Sequence, residues 1–279
     1  MSKTILITGT SSGIGKAAAK KFAASGWNVI ATMRSPEKEA ELTQLANVLV
    51  TKLDVQDSAS IEAALAAGIS RFGKIDALVN NAGLGVYGAF ELATREQIRA
   101  QFEVNVFGVM DLTQAILPHF RANQAGLIIN ISSQGGRITF PVASLYHASK
   151  FAIEGFSESV AYELEPLGIV VKLVEPGATD TQFSPGATVT ANPKIADYQA
   201  FTDAALAHFG TLLTKPAPVE EVADTIYAAA TDGTAQLRYV VGEDSKRFIG
   251  AKQHKGDQEY VDWMKHTVVP PRLTLAPTT

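Results

Sequence analysis

The stretch that decides the fold is Thr4-Ile5-Leu6-Ile7-Thr8-Gly9-Thr10-Ser11-Ser12-Gly13-Ile14-Gly15. Its first five residues are β-branched or apolar and read as a strand. From Ile14 to Ser25 the pattern is helical, closed by Gly26 as a C-terminal stop. Between strand and helix the glycines fall as Gly-x-x-x-Gly-x-Gly, a variant of the dinucleotide-binding fingerprint. Each glycine has a physical task there. Gly9 permits a tight exit from the strand, Gly13 lets the backbone approach a pyrophosphate, and Gly15 lets the helix sit close on the sheet. The helix start offers unpaired N–H groups and a partial positive charge to the phosphates, and Ser11, Ser12 and Ile14 share the same turn.

Outward from this turn the chain alternates short apolar runs with helical stretches. Asn28 to Met33, Val48 to Leu53, Ala77 to Asn80, Leu127 to Ser132, Val170 to Glu175 and Arg238 to Val241 read as strands, with helices such as Ser58 to Phe72 between them. The runs are continuously apolar, which marks strands covered on both faces. Strand–helix alternation of this kind predicts an α/β fold. The expectation is one Rossmann-type domain, with a doubly wound, parallel, seven-stranded sheet and helices on both faces. Residues 1–244 form that domain. They include a lid of about residues 178–218, rich in Thr, Pro and Ala and without a convincing strand. A more charged C-terminal extension, 245–279, packs on or beside it, and its Pro-rich end is expected to be loose.

Composition narrows the function. With 24 basic and 28 acidic residues the net charge of -4 gives no footing for nucleic acid. The chain has no cysteine, which excludes thiolate metal sites and cysteine nucleophiles, and its five histidines show no metal-ligand spacing. No run is long enough to cross a bilayer, and the N-terminus does not read as a signal peptide. A cytoplasmic protein without a membrane or nucleic-acid partner is expected. Charged residues are only 19% of the chain, below the roughly 25% of soluble domains. The shortage is concentrated between Val104 and Ser149, where only Asp111, Arg121 and Arg137 carry charge.

In such folds the end of the second strand meets the adenosine ribose, and an acid there selects NAD. Here the strand ends Ala31-Thr32-Met33-Arg34-Ser35, and Arg34 is placed to pair with a 2′-phosphate. That predicts a preference for NADP(H), with NAD(H) use as the alternative.

Tyr146-His147-Ala148-Ser149-Lys150 sets a phenol and an ammonium one helical turn apart on one face. Ser132 and Ser133 end the fifth strand, on the carboxyl edge where open parallel sheets bind ligands. Each has a structural reading too: a serine can simply end a strand, and Asn105 can cap a helix bend. His147, turned about 100° from Tyr146, reads as a packing or hydrogen-bonding residue rather than an acid or base.

Taken together the motifs resemble the compact short-chain dehydrogenase/reductases, with wording similar to bacterial carbonyl reductases related to hydroxysteroid and retinol dehydrogenases. The matching segments are Thr8 to Gly15, Asp54-Val55, Asn80 to Gly83, Val104 to Gly108, Asn130 to Ser133, Tyr146 to Lys150 and Pro176-Gly177. The resemblance implies Ser133, thirteen residues before Tyr146, as the catalytic serine, with Tyr146, Lys150 and Asn105 completing the set. It implies Asp54 and Val55 at the adenine, and Asn81, Ala82 and Gly83 along the adenosine. Pro176, Gly177, Thr179 and Thr181 would line the nicotinamide side, and Tyr146 and Lys150 would also touch the cofactor. The implied reaction is hydride transfer between NADP(H) and a carbonyl or secondary alcohol, with Asn105 anchoring a water that resupplies the proton.

A free phenol titrates near about 10, so work near neutrality asks for roughly 4 kcal/mol. A lysine cation about 5 Å away contributes about 3 kcal/mol, so Lys150 is expected to draw the Tyr146 pKa down. Leu84, Val86, Tyr87, Pro141, Val142, Phe183 and Phe201 surround the site and suit an apolar substrate. The segment Phe102 to Phe120 is apolar nearly all round, which calls for cover beyond the sheet and predicts a homodimer or homotetramer. The contrasting function, a dinucleotide-sensing regulator without turnover, is disfavoured by the intact Tyr and Lys.

Overall fold

The computed structural model describes residues 2–181, 183, 186–192, 194–212 and 215–268. Its first strand, β1 (Thr4–Thr8), turns Ile5 and Ile7 into one apolar cluster and Leu6 into another, all three fully buried. Period-two alternation with both faces apolar forces cover on both sides. The other strands are β2 (Asn28–Met33), β3 (Val48–Lys52), β4 (Ala77–Asn80), β5 (Val86–Tyr87), β6 (Gly126–Ile131), β7 (Ile169–Pro176), β8 (Thr188–Val189) and β9 (Arg238–Val241). Seven of them form one parallel sheet, the seven strands the sequence predicts, in the order β3-β2-β1-β4-β6-β7-β9.

The helices are α1 (Gly13–Ala24), α2 (Ser58–Phe72), α3 (Arg95–Phe102), α4 (Gly108–Asn123), α5 (Ser144–Leu164), α6 (Gln199–Leu212), α7 (Val219–Thr231), α8 (Glu243–His254) and α9 (Asp257–Val268). Phe22 of α1 and Val222 and Ile226 of α7 cover one face of the sheet. Ile61 of α2, Leu112, Ile116 and Phe120 of α4, and Leu164 of α5 cover the other. Burying each such side chain contributes about 1.5–3 kcal/mol. Because β2 and β4 flank β1 on opposite sides, the chain reverses its winding there, and a crevice opens between the carboxyl ends of β1 and β4.

Two expectations change in the structure. The lid is not free of regular structure: it holds α6, and β8 pairs with β5 through Val86–Thr188 and Tyr87–Val189. Two-residue strands carry no readable period, and α6 buries little beyond Thr202 and Ala205, so its pattern is faint. The apolar segment after Phe102 is not one helix. A π-turn, Glu103–Phe107, interrupts it, and its outward line, Glu103, Phe107, Asp111, Gln114 and Pro118, is exposed and mostly polar.

The C-terminal segment is helical. Phe248 of α8 and Tyr260 and Met264 of α9 pack with Ile138, and with Phe209 and Leu212 of α6, so the extension braces the lid. The expected boundary near residue 244 falls within the first turn of α8. The Pro-rich end, 269–279, lies outside the described residues. Among the described residues no helix is long and apolar enough to cross a membrane.

Candidate active site

The turn after β1 is held by side chains from β1 and β4. Thr8 Oγ1 accepts the Asn81 and Ala82 N–H groups at 2.9 Å each. The Asn81 side-chain amide donates to Thr8 O at 2.8 Å and to Gly9 O at 3.2 Å. Gly9 and Gly13 have φ of +69° and +53°, the left-handed region that costs other residues about 1–2 kcal/mol. A Cβ on Gly15 would collide with the Gly9 carbonyl and the Asn81 amide.

Ser12 precedes α1 in extended backbone, with no side chain capping the helix, and Ser11 and Ser12 are exposed. The first-turn N–H groups therefore face the crevice without a side-chain partner, an arrangement that fits a pyrophosphate. Arg34 is exposed just past β2. Beyond β3, Asp54 accepts the Gln56 N–H at 3.1 Å, and Val55 is buried against Gly108. All three stand on the same sheet edge as the turn, on the β2–β3 side.

On the other side of the crevice β6 delivers Ser133. Its hydroxyl accepts the Gly135 N–H at 3.0 Å and stands beside the Tyr146 phenol, whose pKa it lowers. Ser132 turns instead toward the turn after β6: a Cβ on Gly136 would lie 2.8 Å from its hydroxyl. The structure thus brings Ser133, not Ser132, to the phenol. Lys150, one turn along α5, is buried, donates to Ile131 O at 2.8 Å, and sits 5.8 Å from the Tyr146 ring centroid.

The protonation states differ from the sequence expectation. Burial pushes the Tyr146 phenol above its ordinary value, and the neighbouring Ser133 hydroxyl only partly offsets this. Burial also pushes Lys150 down to about 8, with Glu154 opposing. A lysine at about 8 is still mostly charged near neutrality, so the raised phenol reflects its own burial rather than a loss of the Lys150 charge. That direction keeps Tyr146 protonated near neutrality.

The sequence profile of short chain dehydrogenases matches residues 3–191. The chain belongs to the short-chain dehydrogenase family. It is 42% identical over 229 residues to an uncharacterized oxidoreductase of Schizosaccharomyces pombe, covering 82% of this chain and 96% of the relative. It is 44% identical over 180 residues to the 3-ketodihydrosphingosine reductase of Bacteroides thetaiotaomicron, covering 64% of this chain and 65% of that protein. A short-chain dehydrogenase from Streptomyces avermitilis superposes with a TM-score of 0.82 at 36% identity, over 95% of this chain and 97% of that one. The NADH complex of a 3-ketoacyl-(acyl-carrier-protein) reductase from Brucella melitensis superposes at 0.73, with 27% identity over 87% of this chain and 98% of that one. ElxO with NADP bound gives 0.72, with 28% identity over 86% and 98%.

In this short-chain dehydrogenase the π-turn buries Asn105 between the turn after β4 and the tyrosine helix. Its amide accepts the Leu84 N–H at 2.9 Å and donates to Leu84 O at 2.9 Å and to Ser149 Oγ at 3.3 Å. Gln101, one turn earlier, takes the Val86 N–H at 2.8 Å and donates to Ser149 Oγ at 3.1 Å. Ser149 in turn donates to the Tyr146 carbonyl at 2.8 Å. This buried amide pair ties the turn after β4 to the tyrosine helix. The i, i+4 spacing of Gln101 and Asn105 was the available signal for Gln101; nothing local marked Ser149.

His147 has the structural role expected. Its ring spans Gly135 O and the Phe140 N–H at 2.8 Å each, and burial lowers its pKa to about 4. Over the dehydrogenase's phenol lie Tyr87 and Phe183, with ring centroids 5.5 and 6.0 Å from Tyr146.

After Pro176 the chain crosses toward the glycine turn. Gly177 N–H reaches Val241 O at 2.9 Å, and Ala178 N–H reaches the Asp244 carboxylate at 2.8 Å. Thr179 bridges to Ala217, and Thr181 lies against Gly13, 3.3 Å from where a Cβ would stand. Asp244 also accepts from Gln134 at 2.7 Å. No sequence signal pointed to Asp244, which reaches these partners across more than sixty residues.

Proposed function

We propose that this protein is an NADP(H)-dependent carbonyl reductase or secondary-alcohol dehydrogenase, with an apolar substrate. The observation that carries the reading is the convergence of Ser133, Tyr146 and Lys150 beside an uncapped, glycine-lined helix N-terminus. NAD(H) and NADP in the structural neighbours support a nicotinamide dinucleotide here. Gly9 to Gly15 would hold its pyrophosphate, Asp54, Val55 and Asn81 to Gly83 its adenosine, and Pro176 to Thr181 its nicotinamide end. Arg34, with no acid beside it in the second strand's end, favours the 2′-phosphate form. When bound, the cofactor supplies or accepts the hydride.

The chain's own residues handle the oxygen and the proton. Ser133 donates to the substrate oxygen and orients it. Tyr146, neutral and half-buried, gives that oxygen its proton in reduction and takes it back in oxidation. Lys150 steadies the phenolate that proton donation leaves behind, and Asn105, next to Ser149 and Leu84, anchors the water that restores the proton. Tyr87, Phe183 and Val86 offer an apolar surround. Val142, at φ +57° and held by the Gly88 N–H on its carbonyl at 2.6 Å, fixes the rim.

We place the enzyme in the cytoplasm as a homodimer or homotetramer. Phe107 and Phe151, exposed beside the outward line of α4 and on α5, are the anchors of that association. A panel of apolar ketones and secondary alcohols, read by NADPH absorbance, tests the reading. Turnover of a subset of the panel is expected; none across it, with NADPH binding intact, would favour a sensor.

A further inference from the structure

One turn after Lys150, α5 carries Glu154 into a buried cluster of charge that the proton-transfer residues do not use. Glu154 and Glu175 are 5% and 0% exposed. Arg137, in the turn after Ser133, donates to Glu175 Oε1 at 3.0 Å. Arg238 of β9 sets its Nε 2.9 Å from Glu154 Oε2 and 3.3 Å from Glu175 Oε1, so both carboxylates straddle one N–H. Its Nη2 meets Glu158 Oε2 at 2.5 Å. The remaining oxygens, Glu154 Oε1 and Glu175 Oε2, are buried and find no donor among the described residues. Two adjacent buried carboxylates with one orphan acceptor each are costly if both are ionised. One proton between them supplies the missing donor.

The cluster touches the site at the turn after Ser133 and at the end of β7. Glu154 Cγ packs where a Cβ on Gly136 would stand, 2.8 Å away, in the turn that follows Ser133. Glu175 directly precedes Pro176-Gly177. The charged and titratable groups facing the pair are Lys150 and Glu158 from α5, Arg137 from the turn, Arg238 from β9, and Asp244 from α8 beyond Gln134. Burial, and then the Glu154 charge, lift Glu175 far above the usual carboxylate range. The Glu154 carboxylate meanwhile raises the proton affinity of Lys150 against burial.

We propose that Glu154 and Glu175 share one proton at neutral pH, and that Glu154 is a positioning residue that keeps Lys150 charged. As pH rises the pair releases its proton before Lys150 does. The added negative charge then holds the ammonium through the range where burial alone would discharge it.

This inference rests on reading Tyr146 and Lys150 as the proton-transfer pair. Infrared difference spectra of the full chain between about pH 6 and pH 8 test the shared proton directly. The wild type should lose a protonated-carboxyl band as pH rises, and Glu154→Gln and Glu175→Gln should lack that titration. In kcat/KM profiles, Glu154→Gln should bring the alkaline limb down by about one pH unit, roughly tenfold at its steepest. Glu154→Asp should restore part of it. No titrating band in the wild type, or an unmoved limb in folded Glu154→Gln, overturns the proposal. If Glu154→Gln does not fold, the wild-type band and the Glu175→Gln spectrum still decide it. Failure of the proton-transfer reading shows elsewhere, as undiminished turnover in Tyr146→Phe, and leaves the infrared result standing.

Discussion

Replacing Gly15 by Ala perturbs the turn at its tightest point. The new methyl would meet the Gly9 carbonyl and the Asn81 amide at once. Those two groups are hydrogen-bonded to each other at 3.2 Å, and the same amide reaches Thr8 O at 2.8 Å. Overpacking of this kind costs about 1–3 kcal/mol, and weakening the Asn81–Gly9 hydrogen bond adds about 1 kcal/mol. The sum, about 2–4 kcal/mol, lies within the roughly 5–15 kcal/mol of a typical domain. The variant should therefore fold, with a Tm lower by about 5–12 °C.

Binding should suffer more than folding, because the displaced helix start no longer aims its N–H groups at the pyrophosphate. NADPH titrated by fluorescence should bind at least about tenfold more weakly, the equivalent of 1.4 kcal/mol. Gly13→Ala is the control. Its Cβ has 3.3 Å to Thr181, so its main cost is the positive φ, about 1–2 kcal/mol. A Gly15→Ala protein with wild-type Tm and wild-type NADPH affinity would refute the close packing of α1 on the turn.

Two further outcomes follow from single residues. Wild-type enzyme should prefer NADPH over NADH, and Arg34→Asp should erase about tenfold of that preference, the low end of a charge-assisted contact because Arg34 is exposed; equal kinetics with both cofactors in the wild type would remove the assignment. His147, held at about 4 against an ordinary 6.5, stays neutral in the fold while the unfolded chain gains a proton. Its contribution is complete above about pH 6.5 and is lost as pH falls to about 4, about 3 kcal/mol in all. Urea unfolding across that range should show the slope, and His147→Gln should flatten it.

The sheet was legible because its strands are continuous apolar runs and its first turn carries three spaced glycines. The boundaries shifted by a residue or two, as at α1, since backbone capping rather than side-chain pattern ends that helix. The Ser133, Tyr146 and Lys150 convergence was readable because two of the three share a helix face. Less was readable where partners are distant in sequence. Asp244 reaches Ala178 and Gln134, and Arg238 reaches Glu154 and Glu175, and neither pairing leaves a local pattern. The π-turn at Asn105 was invisible because the same apolar residues suit a straight helix. The upward direction of the Tyr146 shift is not legible in the Tyr-Lys spacing, because it comes from burial of the phenol by residues distant in sequence.

The central claim is that Tyr146 moves the proton in a reaction whose cofactor binds independently of it. Tyr146→Phe, measured for NADPH affinity and for turnover of the best substrate from the panel, tests this most directly. General acid–base catalysis contributes about 10²–10⁴-fold, so turnover should fall by that factor while NADPH binding stays within about twofold. Turnover equal to wild type would contradict the account.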